Sequence, residues 1–196
     1  MLLLLLLAGC NQQQPSGIRF GVQQLPFNFD PRQATDAASE RVNHLLYQGL
    51  VRFDEHRRPQ PDLATWQRPG PQRYRFTLAG DPRFDDGSPV TMRDVIATYR
   101  TILDPASNSP HRSTLAVIRE MHLVDERTLD FLLGRADPYF PSYLSSGVLP
   151  AHLIETFHDF NSKPVGSGPF RLLSREAGRV LLERKSDGLP VSLLLV

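Results

Sequence analysis

A mixed α/β fold is what this sequence predicts, and three patterns carry the prediction. RYRFTLA (residues 73–79) alternates polar and apolar side chains with the period of a half-buried strand. TMRDVIATYRTIL opens on an approximate capping box, Thr91 with Asp94, and then sets Val95, Ile96, Tyr99, Ile102 and Leu103 on one helical face. HLVDERTLDFLL and FRLLSREAGRVLLER each join two apolar runs through a short polar turn, as hairpins do. With 196 residues, 40% of them hydrophobic and 22% charged, the chain can bury the core of one domain or of two small lobes.

The remaining elements follow in order. IRFGV (18–22) reads as a strand, and QLPFNFDP ends in an Asx-type turn at Asp30-Pro31. ASERVNHLLYQGL reads as a helix with Ser39 as its N-cap, Val42, Leu45 and Leu46 on one face, and Gly49 as its stop. LVRFD (50–54) is a strand entering the turn-rich EHRRPQPD, and RPGPQ is a turn before the strand at 73–79. DPASNSP is a loop, PYFPSYL a short aromatic helix or turn, and VLPAHLIETF a further helix. The last segment, LPVSLLLV, is strand-like; with nothing after it to pair with, it is expected to expose an unpaired, aggregation-prone edge unless another segment covers it.

The N-terminus reads differently from the body. Six leucines precede Ala8-Gly9-Cys10, a run far shorter than the roughly 20 apolar residues a membrane-spanning helix needs. Leu7-Ala8-Gly9-Cys10 resembles a bacterial lipobox, in which small residues fit the signal peptidase pocket and the cysteine becomes the lipidated N-terminus. That resemblance implies a signal peptide over 1–9 and a lipidated N-terminus and linker over 10–17, with Cys10 holding the chain on a membrane. Cys10 is the single cysteine, so the body has no disulfide and no cysteine-based zinc site. A net charge of +1, with the arginines scattered along the chain, gives no basis for a nucleic-acid partner.

Several motifs invite chemistry and are better read as structure. Asp81, Asp85, Asp86 and Asp94 cluster around FDDGSPVTMRD, but a calcium loop needs oxygen ligands at alternate positions and a closing glutamate. VGSGPF (165–170) lacks the Lys-Ser/Thr ending of a phosphate loop, and its glycines fit a tight crossing between subdomains. The six histidines show no pair at ligand spacing on a shared face, and no serine or cysteine stands beside a recognisable base. No catalytic residue, metal or cofactor is therefore expected. Phe27, Phe29, Tyr139, Phe140 and Tyr143 flank turns, where they could line a cleft or form satellite core.

Taken in collinear order, NFDPRQ, LLYQGLVRFD, PQPDLATW, YRFTLAGDPRFDDGSPVTMRDVIATYR, VDERTLDFLL, VLPAHLIE and VGSGPFRLL resemble the peptide/nickel-type extracellular solute-binding proteins, family 5, of ATP-driven (ABC) importers. LLERKSD continues the match, but Lys185-Ser186-Asp187-Gly188 departs from the aromatic stretch usual there. The resemblance implies the first lobe and small subdomain of a periplasmic-binding-protein type II-like fold, with 18–196 a partial solute-binding domain. Such proteins close two lobes around the ligand; the second lobe and the return segment of the first are absent, so a fragment or truncated form is expected, binding solute weakly or not at all in isolation.

It also implies two ligand-facing loops, one at Gln33-Ala34-Thr35-Asp36-Ala37 and one near Ser109-Pro110-His111, so that Thr35, Asp36, Ala37 and His111 are the expected ligand-binding residues. Extended peptides are commonly held through main-chain hydrogen bonds, which tolerate varied side chains. The implied partners are a peptide or other small solute, the importer permease subunits and the membrane through the lipid anchor; the implied location is the periplasm. Two alternatives stay open: an envelope lipoprotein hydrolase, which would need a nucleophile and base, and the solute-sensing module of a transcriptional regulator, which would need a helix-turn-helix upstream.

Overall fold

The structure, a computed structural model, describes residues 17–196. The expected signal peptide, the lipidation site Cys10 and most of the linker lie outside the described residues. In chain order come β1 (Ile18–Val22), α1 (Ala37–Leu46), β2 (Val51–Phe53), β3 (Pro59–Pro61), β4 (Ala64–Gly70) and β5 (Arg73–Leu78). They are followed by α2 (Met92–Leu103), α3 (Arg112–Leu115), β6 (Ile118–Asp125) and β7 (Thr128–Leu133). The last elements are α4 (Ala151–Glu155), β8 (Phe170–Glu176), β9 (Arg179–Arg184) and β10 (Pro190–Leu195).

Alternation in β5 and β7 builds the first layer. Tyr74, Phe76 and Leu78 turn inward with Leu129, Phe131 and Leu133, and the antiparallel sheet runs β4-β5-β7-β6. Against it α2 lays Val95, Tyr99 and Ile102, all fully buried. Aromatic rings fill the space between: Phe131 meets Phe76 at 5.4 Å and Phe140 at 5.3 Å, both edge-on, the arrangement the ring quadrupoles favour. The expected capping box starts α2, with Asp94 accepting from the Thr91 backbone N–H at 2.7 Å. The other Asp94 oxygen accepts from the Ala151 N–H at 2.7 Å, so one carboxylate fastens the start of two helices.

The second layer is a sheet in the order β1-β10-β9-β8, packed through Val180, Leu182 and Val191 on Val42 and Leu46 of α1. Its β8–β9 hairpin turns at Ala177-Gly178, as the sequence predicts. The terminal strand is covered by another segment. β10 is not an edge: it pairs antiparallel with β9 and parallel with β1, Ile18 opposite Val191. Its backbone groups are thus satisfied on both sides, and the edges of this sheet are β1 and β8.

Four smaller expectations are corrected. Asp36, not Ser39, caps α1, accepting the Ser39 N–H at 2.9 Å; the Ser39 hydroxyl instead accepts from the Phe27 and Asn28 N–H groups. The helix ends at Leu46 with Tyr47 as its C-cap, and Gly49 serves a close approach, since a Cβ there would lie 2.6 Å from the Ser145 carbonyl oxygen. The turn-rich 55–62 stretch contains β3, paired with β2, and β4 runs on to Gly70 through the expected turn.

The aspartates around FDDGSPVTMRD go to separate partners rather than to one site. Asp81 pairs with Arg127 at 3.0 Å, Asp86 with His152 at 2.9 Å, and Asp85 with Lys185 at 2.5 Å. Asp85 also accepts the Gly166 N–H, at 3.1 Å, which pins the VGSGPF crossing. There the glycines are required by space: a Cβ on Gly166 would sit 2.0 Å from the Leu46 carbonyl oxygen, and one on Gly168 2.4 Å from that of Leu45.

Candidate functional site

The two loops singled out from sequence come together. Asp30 begins the first by accepting the Arg32 N–H at 2.9 Å while its backbone oxygen takes the Gln33 and Ala34 N–H groups. The second loop turns at Asn108, whose left-handed backbone (φ 49°) suits asparagine. Three hydrogen bonds then join them: Gln33 Nε2 to the Ser107 oxygen at 2.9 Å, Ser109 Oγ to the Arg32 oxygen at 2.6 Å, and His111 Nε2 to the Ala34 oxygen at 2.8 Å. A carbonyl can only accept, so His111 carries its proton on Nε2 here, and in the neutral ring Nδ1 is an acceptor.

Beside this junction lies a groove of about 370 Å³. Glu40, Asn43 and His44 of α1 form one side, Ala34 and His111 come from the joined loops, and Tyr143, Ser145 and Ser146 stand on another side. Of the expected ligand residues, His111 lines the groove. Thr35 and Ala37 are exposed beside it, and Asp36 is held by its capping role. Burial pushes the Asp36 carboxyl up, but hydrogen bonds from Ser39 outweigh it and keep the group below the usual carboxylate range. The aromatic residues divide: Phe29 and Phe140 are core, Phe27 and Tyr139 are exposed, and Tyr143 lines the groove.

Sequence reading missed Glu40, Asn43, His44, Ser145 and Ser146. The α1 residues alternate with its apolar face, so one signal was available there: a polar stripe on a helix directly following an expected ligand loop. Asn43 is buried, with its amide nitrogen donating to the Asn28 oxygen at 3.3 Å and its Oδ1 without a partner among the described residues. Among the described residues no group of three or more His, Cys, Asp or Glu could hold a metal ion, and no helix is long and apolar enough to cross a membrane.

The α/β frame thus presents a largely polar groove beside two hydrogen-bonded loops. Residues 58–187 match the family model described as bacterial extracellular solute-binding proteins, family 5, middle, and the chain belongs to that family. It is similar to Protein XP55 of Streptomyces lividans, 32% identical over 146 residues, which take in 71% of this chain and 27% of the relative. It is also similar to the periplasmic oligopeptide-binding protein OppA of Escherichia coli K12, 27% identical over 80% of this chain and 34% of the relative. Among solved structures, the binding protein AgaA of A. tumefaciens R10 in complex with agropinic acid superposes with a TM-score of 0.84 at 26% identity. That match covers 91% of this chain and 39% of AgaA. The chain thus spans about a third or less of the curated relatives' length and about two fifths of the solved structure.

Proposed function

We propose that this chain forms one wall of the solute cleft of a binding protein that delivers peptides, or a related small solute, to an ABC importer. In that reading two lobes close around the solute by hinge motion. The observation that supports it most is the His111–Ala34 hydrogen bond, which draws both ligand-facing loops to one groove. Main-chain groups of the 33–37 loop and hydroxyls of Ser145 and Ser146 suit an extended ligand of varied side chains. Thr35, Asp36, Ala37 and His111 are the proposed contacts from the loops, with Ser145 and Ser146 added by the geometry. We further propose that Cys10 is lipidated and keeps the receptor at the membrane on the periplasmic side, near its permease.

Titration of the chain with mixed di- to pentapeptides, followed by NMR, is the test. With one wall only, binding is expected in the millimolar range, and His111→Ala weakens it. Micromolar affinity in calorimetry would contradict the one-wall reading, and shifts confined to surfaces away from the groove would contradict the cleft itself. For the anchor, the mass of the membrane-extracted protein decides: an intact Met1 and unmodified Cys10 reject it.

A further inference from the structure

A second hollow, of about 510 Å³, adjoins the groove and shares Thr114 and Tyr143 with it. Its other lining includes Ser113, Gly134, Arg135 and Asp137. The two charged residues differ in what they have left to give. Asp137 is buried and its carboxylate is occupied, one oxygen accepting the Tyr139 N–H at 2.9 Å and the other the Tyr143 hydroxyl at 3.2 Å. Its backbone oxygen accepts from the buried Tyr74 hydroxyl at 2.8 Å, which fixes this segment to the first sheet. Arg135 is exposed and makes no hydrogen bond or ion pair with another described residue.

An unpaired guanidinium at a hollow whose one carboxylate, Asp137, is already hydrogen-bonded and whose other walls are hydroxyls and small residues is suited to a carboxylate, which it can hold through two parallel N–H donors. We propose that the solute groove continues past Tyr143 into this hollow, where Arg135 receives a carboxylate of the bound solute. The solute class is narrowed accordingly to compounds with an acidic group at one end, either the C-terminus of a peptide or an acidic side chain. This rests on the groove being the solute cleft. Tyr143, which lines both hollows and donates its hydroxyl to Asp137, then forms the passage between them.

Titration of the isotope-labelled chain with tetraalanine, its C-terminal amide, and Ala-Asp-Ala amide separates the possibilities. Tetraalanine is expected to shift amide resonances of Ala34 and Ser145 in the groove together with Thr114, Tyr143 and Arg135. The amide should bind about tenfold more weakly, the loss of one charge-assisted contact. Arg135→Gln should abolish the difference between acid and amide, and Arg135→Lys restore part of it, with melting temperature unchanged because Arg135 has no structural partner. Recovery of affinity by Ala-Asp-Ala amide would assign the subsite to acidic groups generally, and its failure to the C-terminus alone; both support the proposal. Equal binding of acid and amide, with shifts at the groove only, overturns the subsite and leaves the cleft reading standing. Shifts at neither hollow overturn both.

Discussion

The two sheets of this protein are built by opposite routes. The first, β4-β5-β7-β6 with α2, draws all its strands from residues 64–133 and is centred on Phe76, Tyr99, Phe131 and Phe140. The second, β1-β10-β9-β8, joins residue 18 to residue 191 and is filled mainly by aliphatic side chains. Exposure reflects that difference. Ile18, Phe20, Leu173 and Leu195 on the second sheet are exposed, Phe20 and Leu195 at 53% each, whereas Val124 is the large apolar residue exposed on the first. A layer wired locally can close its apolar face with its own hairpins and following helix; a layer that waits for the chain ends has its rim set by whatever lies beside them. Closing a long loop costs entropy before its contacts repay it, so the first layer is expected to be the more independent unit.

The sharpest way to break that comparison is a pair of core truncations. Phe131→Ala removes a ring that touches three others and is expected to cost about 3–5 kcal/mol, with hydrogen exchange rising across 64–133. Leu182→Ala should cost about 2–4 kcal/mol and release protection in 170–195 while the first layer stays protected. Uniform loss of protection in both variants would show one cooperative unit and defeat the comparison.

Next in size is the joint between the layers. Gly166→Ala forces a Cβ against the Leu46 carbonyl oxygen and the Tyr47 ring, and about 3 kcal/mol of destabilisation is expected in urea melts. Gly178→Ala, in the β8–β9 turn, meets nothing within 4 Å and suffers only from its positive φ of 78°, so about 1 kcal/mol is expected. Equal costs would mean that the crossing yields easily and that the layers are not rigidly joined there.

An effect close in size to that of the turn substitution lies on the outer face of the first sheet. Asp130 accepts hydrogen bonds from Arg75, and also from Arg73, which together overcome its burial and hold its pKa at about 2. Because the folded value lies below the unfolded one, the stabilisation is complete above about pH 4 and is lost as pH falls towards 2. Discounted for screening around the partly exposed guanidiniums, it amounts to about 1–2 kcal/mol, and Asp130→Asn should remove it and flatten, without abolishing, the acid slope of the melting temperature, to which Asp187 and other lowered carboxylates also contribute. An unchanged acid slope in that variant would place the pH dependence elsewhere.

How far the sequence could be read follows the same division. Helix α2, both hairpins and the glycines at 166 and 168 were legible because each is announced within a few residues by alternation, capping or turn chemistry. The fate of LPVSLLLV was not: its partner β1 lies at the other end of the described chain, and no local pattern encodes a parallel pairing at that distance. The N-cap of α1 escaped the sequence for a related reason, since Ser39 has cap chemistry and only the approach of residues 27 and 28 shows that its hydroxyl is spent on them.

The candidate site repeats the lesson on a smaller scale. The family pattern pointed to the loops at 33–37 and 109–111, yet Asn43, Ser145 and Ser146 reach the groove only because a helix, a turn and a hydrogen-bonded loop pair converge. By itself the sequence determined the class of fold, the local elements and the family. Tertiary structure alone decided which strand became central, which aspartate met which cation, and which polar side chains share a groove. The physical reason is range: propensity and periodicity act over a few bonds, whereas pairing of distant strands and convergence of side chains depend on where the whole chain brings them.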